Sequence, residues 1–393
     1  MSEWKEYKLG DLTIDGKGSY GIAAPAVEYD ANKYTYPRIT DINDDGTINK
    51  NGLKSVDDKN ASNYLLKPND IVFARTGASV GRSYFYDGRD GELVYAGFLI
   101  KYSLDSTKVN PKLLKFYTHS QVYYDWIQTV DNGATRGNIN AQTYASMPVL
   151  LPDRNKQDEI VSILSSLDDK IDLLNRENAT LEAMAETLFR QWFIEEAKED
   201  WEEMSLLDCI MLIGGGTPKT SESSYWDGNI CWLSCGDIAN NHKGFVLATE
   251  KNISDEGLNN SSAKLLPENA MVISARGTVG KYCLLSKPMA FSQSNYGIMP
   301  RYDDCFFFTY LLIAYYIDEL QSAAYGSVFD TITTKTFEGV NAVLPQDKDF
   351  IIEFEKMVEP YFSKMKNNAL QIQSLARIRD LLLSRLMSNE IKL

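Results

Sequence analysis

Two stretches of this chain repeat each other, and any fold has to accommodate both. Asn132 to Pro152 reads NGATRGNINAQTYASMPVLLP, and Tyr325 to Pro345 reads YGSVFDTITTKTFEGVNAVLP. They align without a gap, keeping Gly133 with Gly326, Ile139 with Ile332, Thr143 with Thr336 and Pro152 with Pro345. Each runs directly into a segment with a heptad pattern. A period of roughly half the chain is too long for a solenoid and points to a duplicated globular unit, each copy followed by a helix.

The first helix is expected from Asn155 to Phe193, after the stop and cap of Pro152 and Asp153. Its seam is Ile160, Leu164, Leu167, Ile171, Leu174, Asn178, Leu181, Ala185, Leu188 and Trp192. Steps of four and three held this long indicate a coiled coil on the order of 60 Å in length. A shift of about 194 residues superposes a second seam: Phe354, Val358, Tyr361, Met365, Asn368, Ile372, Leu375, Arg379, Leu382 and Leu386. Paired antiparallel, the helices bring Asn178 to Asn368, a polar layer able to fix register. Pro360 predicts a kink near Tyr361.

The blocks between the helices read as α/β or α+β domains built from short strands. Strands are expected at Asp70–Ala74, Glu92–Tyr95 and Ala270–Ala275, with turns at Asp44-Asp45-Gly46 and Asp87-Gly88. Helices are expected at Lys112–Gln128 and Thr309–Ala323. The run FFFTYLLIAYYI, Phe306 to Ile317, is too short to span a bilayer and reads as a buried helix. The charged opening MSEWKEYKLGDL does not resemble a secretory signal.

All five cysteines fall in the second half, so no disulfide framework is shared by the two copies, and a reducing cytoplasm fits. Cys231 and Cys235, in a CWLSC segment read as a strand, lack the partners for a zinc site and fit core packing. A net charge of -14 argues against a general affinity for nucleic acid and leaves room for local basic patches.

Such patches are suggested by RTGASVGR (Arg75 to Arg82) and RGTVGK (Arg276 to Lys281). Each follows an apolar strand and offers glycine, a hydroxyl and a basic residue at both ends, as phosphate contacts require. Arg75, Arg82, Arg276 and Lys281 are therefore expected to contact phosphate, with Thr76 and Thr278 beside them. GGGTPKT, Gly214 to Thr220, lacks the spacing of a nucleotide-hydrolysing loop and reads as a flexible loop carrying Lys219 and Thr220 toward a phosphate or base edge. SQSNYGI, Ser292 to Ile298, offers Gln293 and Asn295, whose amides can pair with adenine. Lys17, Tyr20, Arg38, Arg136, Asn138 and Lys335 complete the candidate DNA-binding set.

Nothing in this inventory assembles a catalytic site. Asp153 with Asp168-Asp169-Lys170 is a loose nuclease pattern, placed on outward positions of the first helix without a strand to converge on a metal. His119 and His242 have no counterparts in the other half, and no adenosylmethionine loop or Asn-Pro-Pro-aromatic motif is present. The chain reads as recognition without catalysis, and no metal site is expected.

Together, WKEYKLGDL and its echo WEEMSLLDC, the GGTPKT loop, the two basic turns, QSNYGI and LLPDRNKQDEIVSILSSLDDKIDLLNRE resemble the specificity subunits of type I restriction-modification enzymes. The likeness covers nearly the whole chain. It implies target-recognition domains at 1–152 and 195–345, each reading one half of a split DNA target, and conserved helices at 153–194 and 346–393 forming an antiparallel coiled coil. It further implies docking of two modification subunits, which bind adenosylmethionine and methylate adenine, and of ATP-dependent restriction subunits. A duplicated scaffold binding protein or glycan, favoured by the acidic charge, is the alternative of another class, and a fragment of a single-chain methyltransferase or nuclease is a third.

Overall fold

The computed structural model describes residues 4–50, 52–131, 137–302, 304–325 and 331–387. These fall into two compact units, one bounded by Met1–Lys170 with Ala376–Leu393 and the other by Ile171–Leu375. Each mixes helix and sheet, and the same design is drawn twice.

In the first unit, the sheet core is three antiparallel strands, with Asp70–Ala74 between Ser83–Tyr86 and Leu99–Ser103 and with Ser19–Tyr20 on the outer edge. In the second, Met271–Ser274 lies between Tyr282–Leu285 and Asn295–Pro300, extended by Ile210–Gly214 and Phe245–Val246. Both central strands are entered through the same turn. Asn69 and Asn269 take φ of 76° and 66° and donate their N–H groups to Tyr86 and Leu285. Asparagine tolerates that left-handed conformation better than most residues. A short pair, Lys5–Lys8 with Pro148–Leu151 or Glu202–Ser205 with Asn341–Leu344, ties the start of each globular block to its end.

The long helices are Arg154–Arg190 and Lys348–Met387. In the first unit Asp168 bonds Arg379, and Ile160 and Leu164 share a core with Leu383 and Leu386. In the second, Asn178 meets Asn368 and Phe189 meets Phe354. Within each unit, then, the helices run antiparallel. The second helix continues through Pro360 without interruption, so the expected kink does not break it.

The seam is wider than two positions per heptad. Phe189, Phe193, Phe362 and Leu383, outside the expected seam, are buried, whereas Leu188, Trp192 and Tyr361 are only partly so. The cause is packing on both flanks. Phe193 lies 5.0 Å from Phe308 and 4.9 Å from Phe354, and Phe307 stacks on Phe362 at 4.5 Å. The first helix then passes into a wider π turn at Gln191–Glu195.

Other expectations are corrected locally. Glu92–Tyr95 is not a strand: Leu93 and Val94 make only isolated bridges to Thr35 and Leu65. The helix expected over Lys112–Gln128 is two, Pro111–Tyr117 and Gln121–Asp131. Hydroxyls of Thr118 and Ser120 take carbonyls of the first and end it. Thr309–Ala323 likewise divides into Phe306–Tyr315 and Ile317–Tyr325. CWLSC is not one strand, because Trp226–Leu233 ends before Ser234, which caps a helix beginning at Cys235. Among the described residues no two cysteines form a disulfide.

Candidate nucleic-acid interface

The basic turns are built on one backbone frame. Ala74 donates its N–H to Arg82 O (2.8 Å) and receives that of Gly81, while Ser274 donates to Lys281 O (2.7 Å) and receives that of Gly280. Gly81 and Gly280 have φ of 86° and 81°, so another residue would be strained there. One position further, Arg75 donates to Phe98 O and accepts from Ile139, while Ala275 donates to Ser294 O and accepts from Ile332. Arg75 thus occupies the place of Ala275, and Thr76 that of Arg276. The sequence pairing of Arg75 with Arg276 is out of register because the second turn is shorter by one residue.

In the first unit this end of the sheet gathers Arg75, Thr76, Tyr20 and Asn138. The guanidinium of Arg75 lies 4.9 Å from the centre of the Tyr20 ring and donates from Nε (3.3 Å) and Nη2 (3.1 Å) to Asn138 Oδ1. Thr76 bridges Asn138, and Tyr20 OH accepts the N–H of Ala141. Phe98 is 60% exposed and lines an apolar groove of about 640 Å³ with Ile22, Pro25 and Tyr36. Lys17 is exposed in the preceding loop. Arg38 and Arg82 stand differently: Arg38 holds Asp41 through two hydrogen bonds of 2.8 Å, and Arg82 pairs with Asp44 at 2.6 Å and donates to Ile42 O. Each is already matched by a carboxylate, Arg38 within its own turn and Arg82 across to the turn at Ile42 and Asp44. Arg136 lies outside the described residues.

In the second unit Arg276, Gln293 and Lys335 are exposed at the corresponding end. Thr278 is turned inward, hydrogen bonded to Ser274 Oγ. Asn295 is 1% exposed, and its amide is spent on Ser292 Oγ, Leu233 O and the Cys235 thiol. It cannot face a base edge, which corrects its assignment to DNA contact. GGGTPKT is not a free loop. The Trp232 and Trp226 indoles donate to Gly216 O and Lys219 O, and a Cβ on Gly215 or Gly216 would come within 2.2 Å of backbone. Those glycines permit close packing, while Lys219 and Thr220 remain exposed beyond them. Lys281 lines a cleft of about 570 Å³ with His242, Lys243 and Asp318 instead of joining Arg276.

Groups with catalytic potential are held in structural roles. Burial lowers the pKa of both His119 and His242, with Lys281 adding to the effect on His242. Asp168 is not on an outward position as expected: it pairs with Lys115 at 2.5 Å and Arg379 at 3.0 Å. Burial pushes its carboxyl up, but the two cations outweigh it and leave it below the ordinary value. Among the described residues no group of His, Cys, Asp and Glu could hold a metal ion, and no helix is long and apolar enough to cross a membrane.

Comparison with known proteins agrees with this picture. The family model for the type I restriction modification DNA specificity domain matches residues 1–183 and again 198–353. The chain is 26% identical to the HindI specificity subunit of Haemophilus influenzae, with all of both chains covered. It is 22% identical to the MjaIX specificity subunit of Methanocaldococcus jannaschii over 68% of this chain and 66% of that one. The crystal structure of a type I restriction-modification S subunit from M. genitalium superposes with a TM-score of 0.55 at 14% identity, covering 98% and 96% of the two chains, a likeness of fold. With one domain matched in each half, the chain belongs to the type I restriction-modification specificity subunits and carries two DNA specificity domains.

Proposed function

We propose that each unit reads one half of a bipartite DNA target and that the chain carries this recognition to two modification subunits. The observation that bears most weight is the repeated frame at the sheet end, which presents Arg75, Tyr20 and Asn138 in one unit and Arg276, Gln293 and Lys335 in the other. Identical scaffolds with different exposed side chains are what reading two unlike half-sites requires. Catalysis belongs to the partners: methyltransferase subunits bring adenosylmethionine, and ATP-dependent restriction subunits complete the nuclease, in the cytoplasm. Leu173 and Met184, exposed about three turns apart on one face of the first long helix, offer those partners an apolar docking surface.

Duplex binding by the chain with its methyltransferase, titrated against salt, tests this. Arg276→Ala and Lys335→Ala should each reduce the slope of log affinity against log salt by about one. The net charge of -14 favours a protein-binding scaffold as the second reading. Absence of any salt-dependent duplex affinity would favour it.

A further inference from the structure

We infer that Arg75 determines specificity in the first unit by reading the major-groove edge of a guanine. This assignment rests on the bipartite DNA reading proposed above and replaces the expectation that Arg75 contacts phosphate.

Arginine has five N–H donors in a planar fork. Two of the Arg75 donors, on Nε and Nη2, converge on Asn138 Oδ1, and one face of the guanidinium lies over Tyr20. That leaves the parallel N–H pair at the Nη1 and Nη2 end without a protein partner among the described residues. Guanine O6 and N7 accept such a pair, and this bidentate contact is the commonest specific one in DNA recognition. The acceptor that orients Arg75 is neutral, so its charge stays whole, whereas Asp41 and Asp44 already match those of Arg38 and Arg82. Orientation by Asn138 and Tyr20 also removes side-chain freedom before any DNA arrives, which sharpens discrimination.

The second unit separates base reading from phosphate binding. A contact serving general affinity would be useful in both halves, yet the backbone place of Arg75 is taken by buried Ala275. A residue present on one copy of the frame and absent from the other is suited to the base pairs in which the half-sites differ.

The test is a genome-wide map of methylated adenine in cells carrying the complete system with wild-type chain, Arg75→Ala, Arg75→Lys or Asn138→Ala. Purified complexes are then titrated with duplexes changed one base pair at a time. The wild-type motif should contain a G·C pair in one half-site at which Arg75→Ala loses about tenfold or more in discrimination, the other half-site being unchanged. Arg75→Lys should lose discrimination at the same pair, since an ammonium lacks the planar fork, and Asn138→Ala should lose less. Equal weakening on every duplex, or an unaltered motif, would overturn the assignment and make Arg75 a phosphate contact. Should Arg75→Ala abolish methylation, the duplex titration and the Asn138→Ala map decide. A wild-type chain that directs no bipartite methylation would instead sink the functional reading itself.

Discussion

Glu355 shows how much a single side chain can do away from the sheet end that gathers the candidate DNA contacts. Its carboxylate accepts the N–H groups of Phe307 (3.0 Å) and Phe308 (2.7 Å), the free donors at the start of Phe306–Tyr315. Burial nevertheless dominates, and the carboxyl is pushed up to about 7 from an ordinary 4.5. Because the folded state holds its proton to higher pH than the unfolded state, this group's contribution is largest below the ordinary value. It declines as pH rises from about 4.5 to about 7, by at most about 1.4 kcal/mol per pH unit. Glu355→Gln should flatten that decline while still accepting one of the two N–H groups. Melting temperatures across pH 4.5 to 8 would show it, and parallel curves for the two proteins would exclude Glu355 as the cause. Asp168 has the opposite sign, since its lowered pKa contributes stability that is lost on acidification.

Along the long helices, the polar layer is the element with a legible purpose. Asn368 is fully buried and donates to Asn178 Oδ1 (2.9 Å) and Glu177 Oε2 (2.8 Å), yet its own Oδ1 has no partner among the described residues. A buried acceptor left unpaired is unfavourable by about 1–3 kcal/mol. Retaining it is reasonable only if it constrains how the helices pair. Replacing Asn178 and Asn368 with leucine should raise the melting temperature by several degrees and let the helices slip, detectable as altered cross-linking between cysteines placed along them. A lower melting temperature would mean that the amide pair is a net stabiliser. Phe189, Phe193 and Phe362 escaped the heptad reading because that pattern describes a helix with one neighbour, and here the sheet domain supplies a second.

At the scale of the chain, the first unit is closed by residues far from it in sequence. Leu383 and Leu386 are 4% and 2% exposed in the core that holds Ile160 and Leu164, and Arg379 reaches Asp168. Burying a leucine contributes about 1.5–3 kcal/mol, a large share of the roughly 5–15 kcal/mol that holds a domain together. A chain ending at Leu375 should therefore lose amide protection around Ile160 and Asp70–Ala74 while Met271–Ser274 stays protected. Hydrogen exchange would read both at once, and equal loss in the two units would refute this division. The duplication, the long helices and the glycine turns could be found in the residues because each rests on local spacing: heptad steps, turn chemistry and a gapless repeat. The antiparallel pairing is implied by the family resemblance, and the Asn layer follows from it. Which basic residues remain free could not, since Arg38 and Arg82 are matched by Asp41 and Asp44 only through loop geometry. The shift that sets Arg75 opposite Ala275, the burial of Asn295 and the pairing of Asp168 are likewise invisible in sequence. Hydrogen-bond register and burial are settled by segments that meet through space, and a change of one residue in a turn alters which side chain faces outward without disturbing the pattern on either side.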